Sequence, residues 1–290
     1  MKYIRMIFDF VKEIYKNKFV VYQLTKRDYK NKYIGSFLGF IWTIIQPLVM
    51  ILVLWFVFTK AFNSGPIRDI PFSVWLTIGL VPWYFFSEAL TTSTSALQEY
   101  SYLVKKVQFQ TAILPIIKLL SAFITHIIFI IIGIIILLIN DVGFSIYWLQ
   151  AFYYLIAMFI LLVGLSWITS AIQVFVKDTA QIISVILQFG FWLTPILWDF
   201  KILPEKYDYI LKTNPMFYIM EGYRNSFIYH APFWEAKNEI IYFWTTTIII
   251  LLIGIIIFNR VDLPEPFLPI IPIVSPFFIS KLMFFRAKKS

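Results

Sequence analysis

Residues 27–62 read RDYKNKYIGSFLGFIWTIIQPLVMILVLWFVFTKAF. A basic segment, with Lys26, Arg27, Lys30 and Lys32, runs directly into an apolar stretch over 37–58. Crossing a bilayer takes about 20 apolar residues, so this stretch is long enough to span. The cations place its start on the cytoplasmic side, where Lys and Arg are retained.

The rest of the chain agrees with a membrane setting. Its 290 residues are 60% hydrophobic and only 14% charged, against about 45–50% and 25% in a soluble domain. No single aqueous core hides that much apolar surface. The net charge of +9 would suggest nucleic acid in a soluble chain. Here it marks cytoplasmic loops beside anionic headgroups, so membrane lipids are the expected partners and nucleic acid is not. Without cysteine, neither a disulfide scaffold nor a thiolate metal site forms. Charges are scattered through residues 1–32 with no uninterrupted apolar core, which argues against a cleavable signal peptide.

Six spans are predicted, over 37–58, 72–97, 112–139, 146–176, 180–198 and 240–258. The third and fourth are longer than a bilayer needs and should tilt or project. The fifth is barely long enough and runs into Pro195, so it is read as broken or re-entrant. Counting Lys and Arg in the loops puts both termini in the cytoplasm. Ahead of the spans, Ile4, Ile7, Phe8, Val11, Ile14 and Tyr15 recur at helical spacing between charges, the pattern of an interfacial amphipathic helix. The expected fold is thus all-α and polytopic: an interfacial segment (1–33), a membrane domain (34–260) and a tail (261–290). Residues 199–239, rich in Pro, Tyr and Trp, read as short helices at the outer interface. Five prolines between 264 and 276 forbid a regular helix over most of the apolar tail.

Residues 98–111 are too polar to span, yet Tyr100, Leu103, Val104, Val107 and Phe109 recur at roughly helical spacing. A short cytoplasmic amphipathic helix follows, resting on the membrane or docking in a partner's groove.

No phosphate-cradling GxxxxGK[ST] loop is present. Any ATP is therefore handled by another chain, and no cofactor is expected on this one. His126 lies inside a span, as a functional residue or as one bonded to a neighbouring helix. His230 and Glu235 imitate an acyltransferase pair, but Pro232 between them speaks against it. In the second span Ser87, Thr91 and Ser95 form one helical stripe with Glu88 beside it. Such a stripe is either a channel wall or hydrogen-bonded helix packing. Trp42, Trp83, Tyr84, Phe85, Phe86 and Trp192 are candidates to line a path, because aromatic faces suit the C–H faces of sugars.

Five segments, in constant order over about residues 20–260, resemble the permease subunits of ABC-2-type polysaccharide exporters, which move O-antigen, capsular polysaccharide or teichoic acid. The first is Arg27, Asp28, Lys30, Tyr33, Ser36, Leu38, Gly39, Trp42 and Pro47. The second is Gly79, Leu80, Pro82, Trp83, Phe85 and Phe86. The third is Leu103–Val107 with Ile113, Leu114 and Pro115, although Gln110 stands where the family often has proline. The fourth is Val176, Lys177 and Asp178, then Thr194, Pro195 and Ile196. The fifth is Asn214, Pro215 and Met216 with Glu221, Tyr223 and Arg224. The tail has no counterpart in this pattern.

The resemblance implies a homodimer with two copies of a separate ABC ATPase, which would bind the ATP and Mg. Glu99, Tyr100, Leu103, Lys105, Lys106 and Phe109 would belong to the helix that couples to that ATPase. Arg27, Lys30 and Lys32 would stand near the pyrophosphate of an undecaprenyl-diphosphate-linked glycan, and 199–239 would form the outer gate. The location implied is the bacterial cytoplasmic membrane. A drug-exporting ABC-2 permease and a membrane acyl- or glycosyltransferase are the alternatives; the latter requires clustered acids or histidines, which are not evident in the sequence.

Overall fold

A computed structural model describes residues 12, 14–101 and 111–260. The expected amphipathic helix before residue 12, most of the 98–111 segment and the Pro-rich tail lie outside the described residues. Within them the fold is helical, with no named strand.

Helix α1 (Lys18–Asn31) leads through a turn into α2 (Trp42–Phe56). Gly35 and Gly39 turn the chain there at φ +81° and +50°, a left-handed conformation that glycine adopts without steric cost. Then come α3 (Phe72–Thr94), the short α4 (Ala96–Glu99), α5 (Ile113–Ile139), α6 (Ala151–Phe175) and α7 (Thr179–Leu193). Two short helices, α8 (Asp208–Lys212) and α9 (Pro215–Arg224), precede α10 (Lys237–Arg260).

Among the described residues, four helical stretches are long and apolar enough to cross a membrane: Gly39–Ala61, Ile113–Ile139, Ile146–Phe175 and Lys237–Phe258. They correspond to the first, third, fourth and sixth predicted spans. The second predicted span is a 23-residue helix of lower hydropathy, and its surroundings explain why. Helix α3 packs against α2, α5, α6, α7 and α9; all of its residues are buried except Ser73, Tyr84, Ser87, Glu88, Thr91 and Thr92. A helix wrapped in protein faces other helices, where hydroxyls find partners. The fifth predicted span stops at Leu193. Thr194, which precedes Pro195, is extended at φ −76° and ψ 134°, as a pre-proline residue prefers. Its 15 residues rise about 22 Å, short of the roughly 30 Å hydrocarbon core.

Helix α10 lies along α6 at backbone contact. A Cβ on Gly164 would sit 2.9 Å from the Leu251 backbone, and one on Gly254 would sit 2.7 Å from the Gly164 carbonyl. Small residues permit this approach where no hydrophobic force separates helix from lipid.

The 199–239 region does contain short helices, but α9 does not lie on the surface. Eight of its ten residues, from Met216 to Arg224, are buried, and it packs on α3, α6 and α10. Asn214 caps its start by accepting from the Met216 amide at 3.0 Å, with Pro215 at the first helical position, a pairing that suits a helix N-terminus.

Candidate functional site

The helical period turns part of α3 outward. Tyr84, Ser87, Glu88, Thr91 and Thr92 are its half-exposed residues beyond Ser73, at successive steps of three, one, three and one. Ser95, also half-buried, continues the stripe past the helix end. These residues therefore form one accessible polar face on an otherwise buried helix, while the exposed residues of α2 and α7 are mostly apolar.

Toward α7 this face deepens into a groove of about 320 Å³, lined by Trp83, Ser87, Thr91, Ser184, Leu187, Gln188, Phe191 and Trp192. The structure thus brings together four residues singled out from the sequence: Trp83, Ser87, Thr91 and Trp192. It adds Ser184 and Gln188, which share a face of α7 but carried no signal beyond being polar in an apolar run. Gly190 lets Trp83 in, since a Cβ there would meet the indole at 2.9 Å.

Other candidates point elsewhere. Phe85 is 1% exposed and stacks on His126 at 4.7 Å, inside the bundle. It does not line the groove, because two residues on from Trp83, and two before Ser87, the helix has turned to its opposite side. Phe86 is buried too. Tyr84 lies on the accessible face, stacked on Phe129 at 4.9 Å. Trp42 lines a separate apolar groove on α2, with Gln46, Val49 and Val53 among its neighbours. His126 is bonded to Tyr223 at 3.0 Å, a helix-packing contact.

Beside the stripe, Lys32 at the end of α1 reaches α3. Lys32 Nζ lies 2.5 Å from Glu88 Oε1, so one predicted cation is paired with the carboxylate of the stripe. Arg27 and Lys32 also line a polar cavity of about 410 Å³ with Asp28, Asn31, Thr92, Glu99, Tyr100 and Lys118. Lys30 is exposed on the last turn of α1.

One wall of this cavity is a charge cluster that the sequence reading passed over. Lys118 donates to Asp28 at 2.6 Å and to Glu99 at 2.5 Å, and the Tyr100 hydroxyl donates to Asp28 at 2.7 Å. Burial pushes the Asp28 carboxyl up, but the Lys118 ammonium and the hydrogen bonds outweigh it and hold the group below its ordinary value. The cluster joins α1, α4 and α5. Its sequence signal was Lys118 itself, a cation inside an apolar run. Of the residues expected to couple to an ATPase, Glu99 and Tyr100 are turned into this cluster. Leu103, Lys105, Lys106 and Phe109 lie outside the described residues.

A second charge pair closes the opposite end. Arg68 meets Asp199 through two hydrogen bonds, at 2.7 and 3.1 Å, and lies over the rings of Tyr229 and Phe200. Burial pushes Asp199 up, yet the Arg68 guanidinium holds it below the usual carboxylate range. A depressed folded value means the pair stabilises fully above the ordinary aspartate value, near pH 4, and loses its contribution as pH falls below it. The melting temperature of wild-type protein should therefore drop between pH 6 and pH 3 by more than that of Asp199→Asn. A difference of about 1 kcal/mol is expected for a partly exposed pair.

Fully buried Arg224 holds the chain where α7 ends. It donates to the Pro195 and Ile196 carbonyls at 2.9 and 3.1 Å and pairs with Glu221 at 2.8 Å. Its guanidinium carbon lies 3.4 Å from the centre of the Trp75 ring.

Comparison with known proteins agrees with this architecture. The pattern of the family described as ABC-2 type transporter matches residues 20–228. The chain is 27% identical over 239 residues to an O-antigen export system permease protein RfbA of Klebsiella pneumoniae, covering 82% of this chain and 90% of that protein. A protein of the same name from Myxococcus xanthus is 28% identical over 227 residues, covering 76% and 84%. A helical membrane body, a buried helix with one polar face and a family match across most of the chain agree: the chain belongs to the ABC-2 type transporter family, as a multi-pass transporter component rather than an enzyme.

Proposed function

We propose that this chain is the permease subunit of an ATP-driven exporter that moves a lipid-linked polysaccharide out across the bacterial cytoplasmic membrane. The observation that carries the reading is the polar, accessible face of α3 between two largely apolar helices. In hydrocarbon such a face is costly, and a water-filled path for a hydroxyl-rich polymer removes the cost. Trp83 and Trp192 beside Ser87, Thr91 and Gln188 offer flat apolar surface and hydrogen-bonding groups together. The names of the relatives support a polysaccharide cargo.

In this reading α2, α3, α5, α6 and α10 are membrane helices and the shorter α7 completes a sixth crossing with the chain that follows it, with both termini cytoplasmic, and a second copy closes the open side of the groove. Two copies of a separate ATPase engage the 98–111 segment and bind the ATP and Mg. Arg27, Lys30 and Lys32 receive the diphosphate of an undecaprenyl-linked glycan, and α8 and α9 belong to the outer gate.

Thr91→Phe tests the path. In cells co-expressing the ATPase it should abolish surface glycan while leaving the amount of membrane-inserted protein unchanged. Undiminished export with a phenylalanine in the groove would remove this face from the path. Loss of drug efflux with normal glycan export would favour a small-molecule permease.

A further inference from the structure

The Lys32–Glu88 pair has a further meaning at this site. Glu88 is the one acidic residue on the accessible face of α3; its neighbours there are Tyr84, Ser87, Thr91 and Thr92. An unpaired carboxylate on the path of an anion would repel it. Glu88 is instead 2.5 Å from Lys32, with the Thr125 hydroxyl 3.5 Å from the same carboxylate oxygen. Lys32 Nζ also lies 5.6 Å from the Tyr29 ring centre. The pair is partly open to solvent, with side chains 21% and 29% exposed. It adjoins the cavity of about 410 Å³ that Lys32 helps to line, room enough for a headgroup.

Of the other cations around this cavity, Arg27 is exposed and Lys118 is already matched. Lys118 is held by Asp28 and Glu99. Lys32 is thus a cation that an incoming phosphate can reach, in competition with the carboxylate it already holds. Lys32 caps the end of α1 just before the Gly35 turn. The connection to α2 is fastened separately, by Thr43 donating to Tyr33 at 2.6 Å and by Tyr29 at 3.2 Å from Thr43.

We propose that Glu88 is a built-in competitor for Lys32, an internal anion that keeps the cation occupied until a phosphate-bearing lipid headgroup displaces it. The inference rests on the reading of Arg27, Lys30 and Lys32 as the headgroup site. Its physical effect is a threshold. Every anion that engages Lys32 must break the same ion pair, so weakly bound phospholipid phosphates leave that cation with Glu88 and a tightly held diphosphate does not. Removing the competitor should strengthen binding of either anion.

The test measures binding of radiolabelled undecaprenyl diphosphate to the full chain in phosphatidylcholine nanodiscs at low salt. Glu88→Gln should bind about fivefold more tightly than wild type, the scale of a partly exposed ion pair. Glu88→Asp, which keeps the charge but withdraws it by one methylene, should fall between the two. The decisive comparison is made on a Lys32→Gln background, where Glu88→Gln should have a clearly smaller effect, because only the direct repulsion of the carboxylate is relieved and no cation is left to compete for. If Glu88→Gln does not tighten binding, or tightens it equally with and without Lys32, the competitor inference is overturned while the headgroup site stands. If wild type does not bind, or binds with an affinity that Lys32→Gln and Arg27→Gln leave unchanged, the headgroup reading falls and the competitor with it.

Discussion

Arg224→Ala is expected to destabilise the protein by about 3 kcal/mol or more, read as a fall in the melting temperature of detergent-purified protein. The side chain is fully buried, and its loss leaves two carbonyls, at Pro195 and Ile196, without a donor and Glu221 without its cation. Arg224→Lys should rescue little, because an ammonium cannot bond both carbonyls in a fork while stacking on Trp75. Gly79→Ala should destabilise by about 1–3 kcal/mol through the same contact, since its Cβ would sit 2.6 Å from the guanidinium. On an Arg224→Ala background the glycine change should cost far less, because the group it strikes is gone. Additive losses would show that Gly79 and Arg224 are not coupled.

Lys118→Ala is the second large expected effect, again about 3 kcal/mol. Asp28 and Lys118 are 6% and 8% exposed, and removing the cation strands a buried carboxylate already lacking a partner for Oδ2. Replacing both ions, as in Asp28→Asn with Lys118→Met, should lie closer to wild type than Lys118→Ala alone, because no charge is then left unpaired. The cluster ties α1 to α4 and α5, next to a small core of Val21, Ala96, Leu97, Tyr100, Ile113, Leu114 and Ile117. Limited proteolysis should accordingly cut near α1 faster in the single variant. An unchanged digestion pattern would show that the apolar contacts hold α1 without the charges.

Much of the candidate site was legible because it obeys a local period. Ser87, Glu88, Thr91 and Ser95 are spaced so that any helix places them on one face, and the structure leaves that face open. The end of the fifth predicted span was legible for a similar reason: Pro195 restricts Thr194 by local sterics alone. The path-lining aromatics were less so. Phe85 and Trp83 belong to one aromatic-rich run, yet one packs on His126 and the other lines the groove. Their composition is alike; only the positions of neighbouring helices decide which ring faces inward.

What the sequence alone determined is the membrane setting, most of the helices and the polar face of α3, because hydropathy and period are properties of nearby residues. The tertiary structure decided which charges meet. Lys118 finds Asp28 across 90 positions, Arg68 finds Asp199 across 131, and Lys32 finds Glu88 across 56. No local period reports pairings at such separations. The buried Lys118–Asp28 pair exists because burial in a low-dielectric bundle is tolerable for a charge only when folding brings a partner to it.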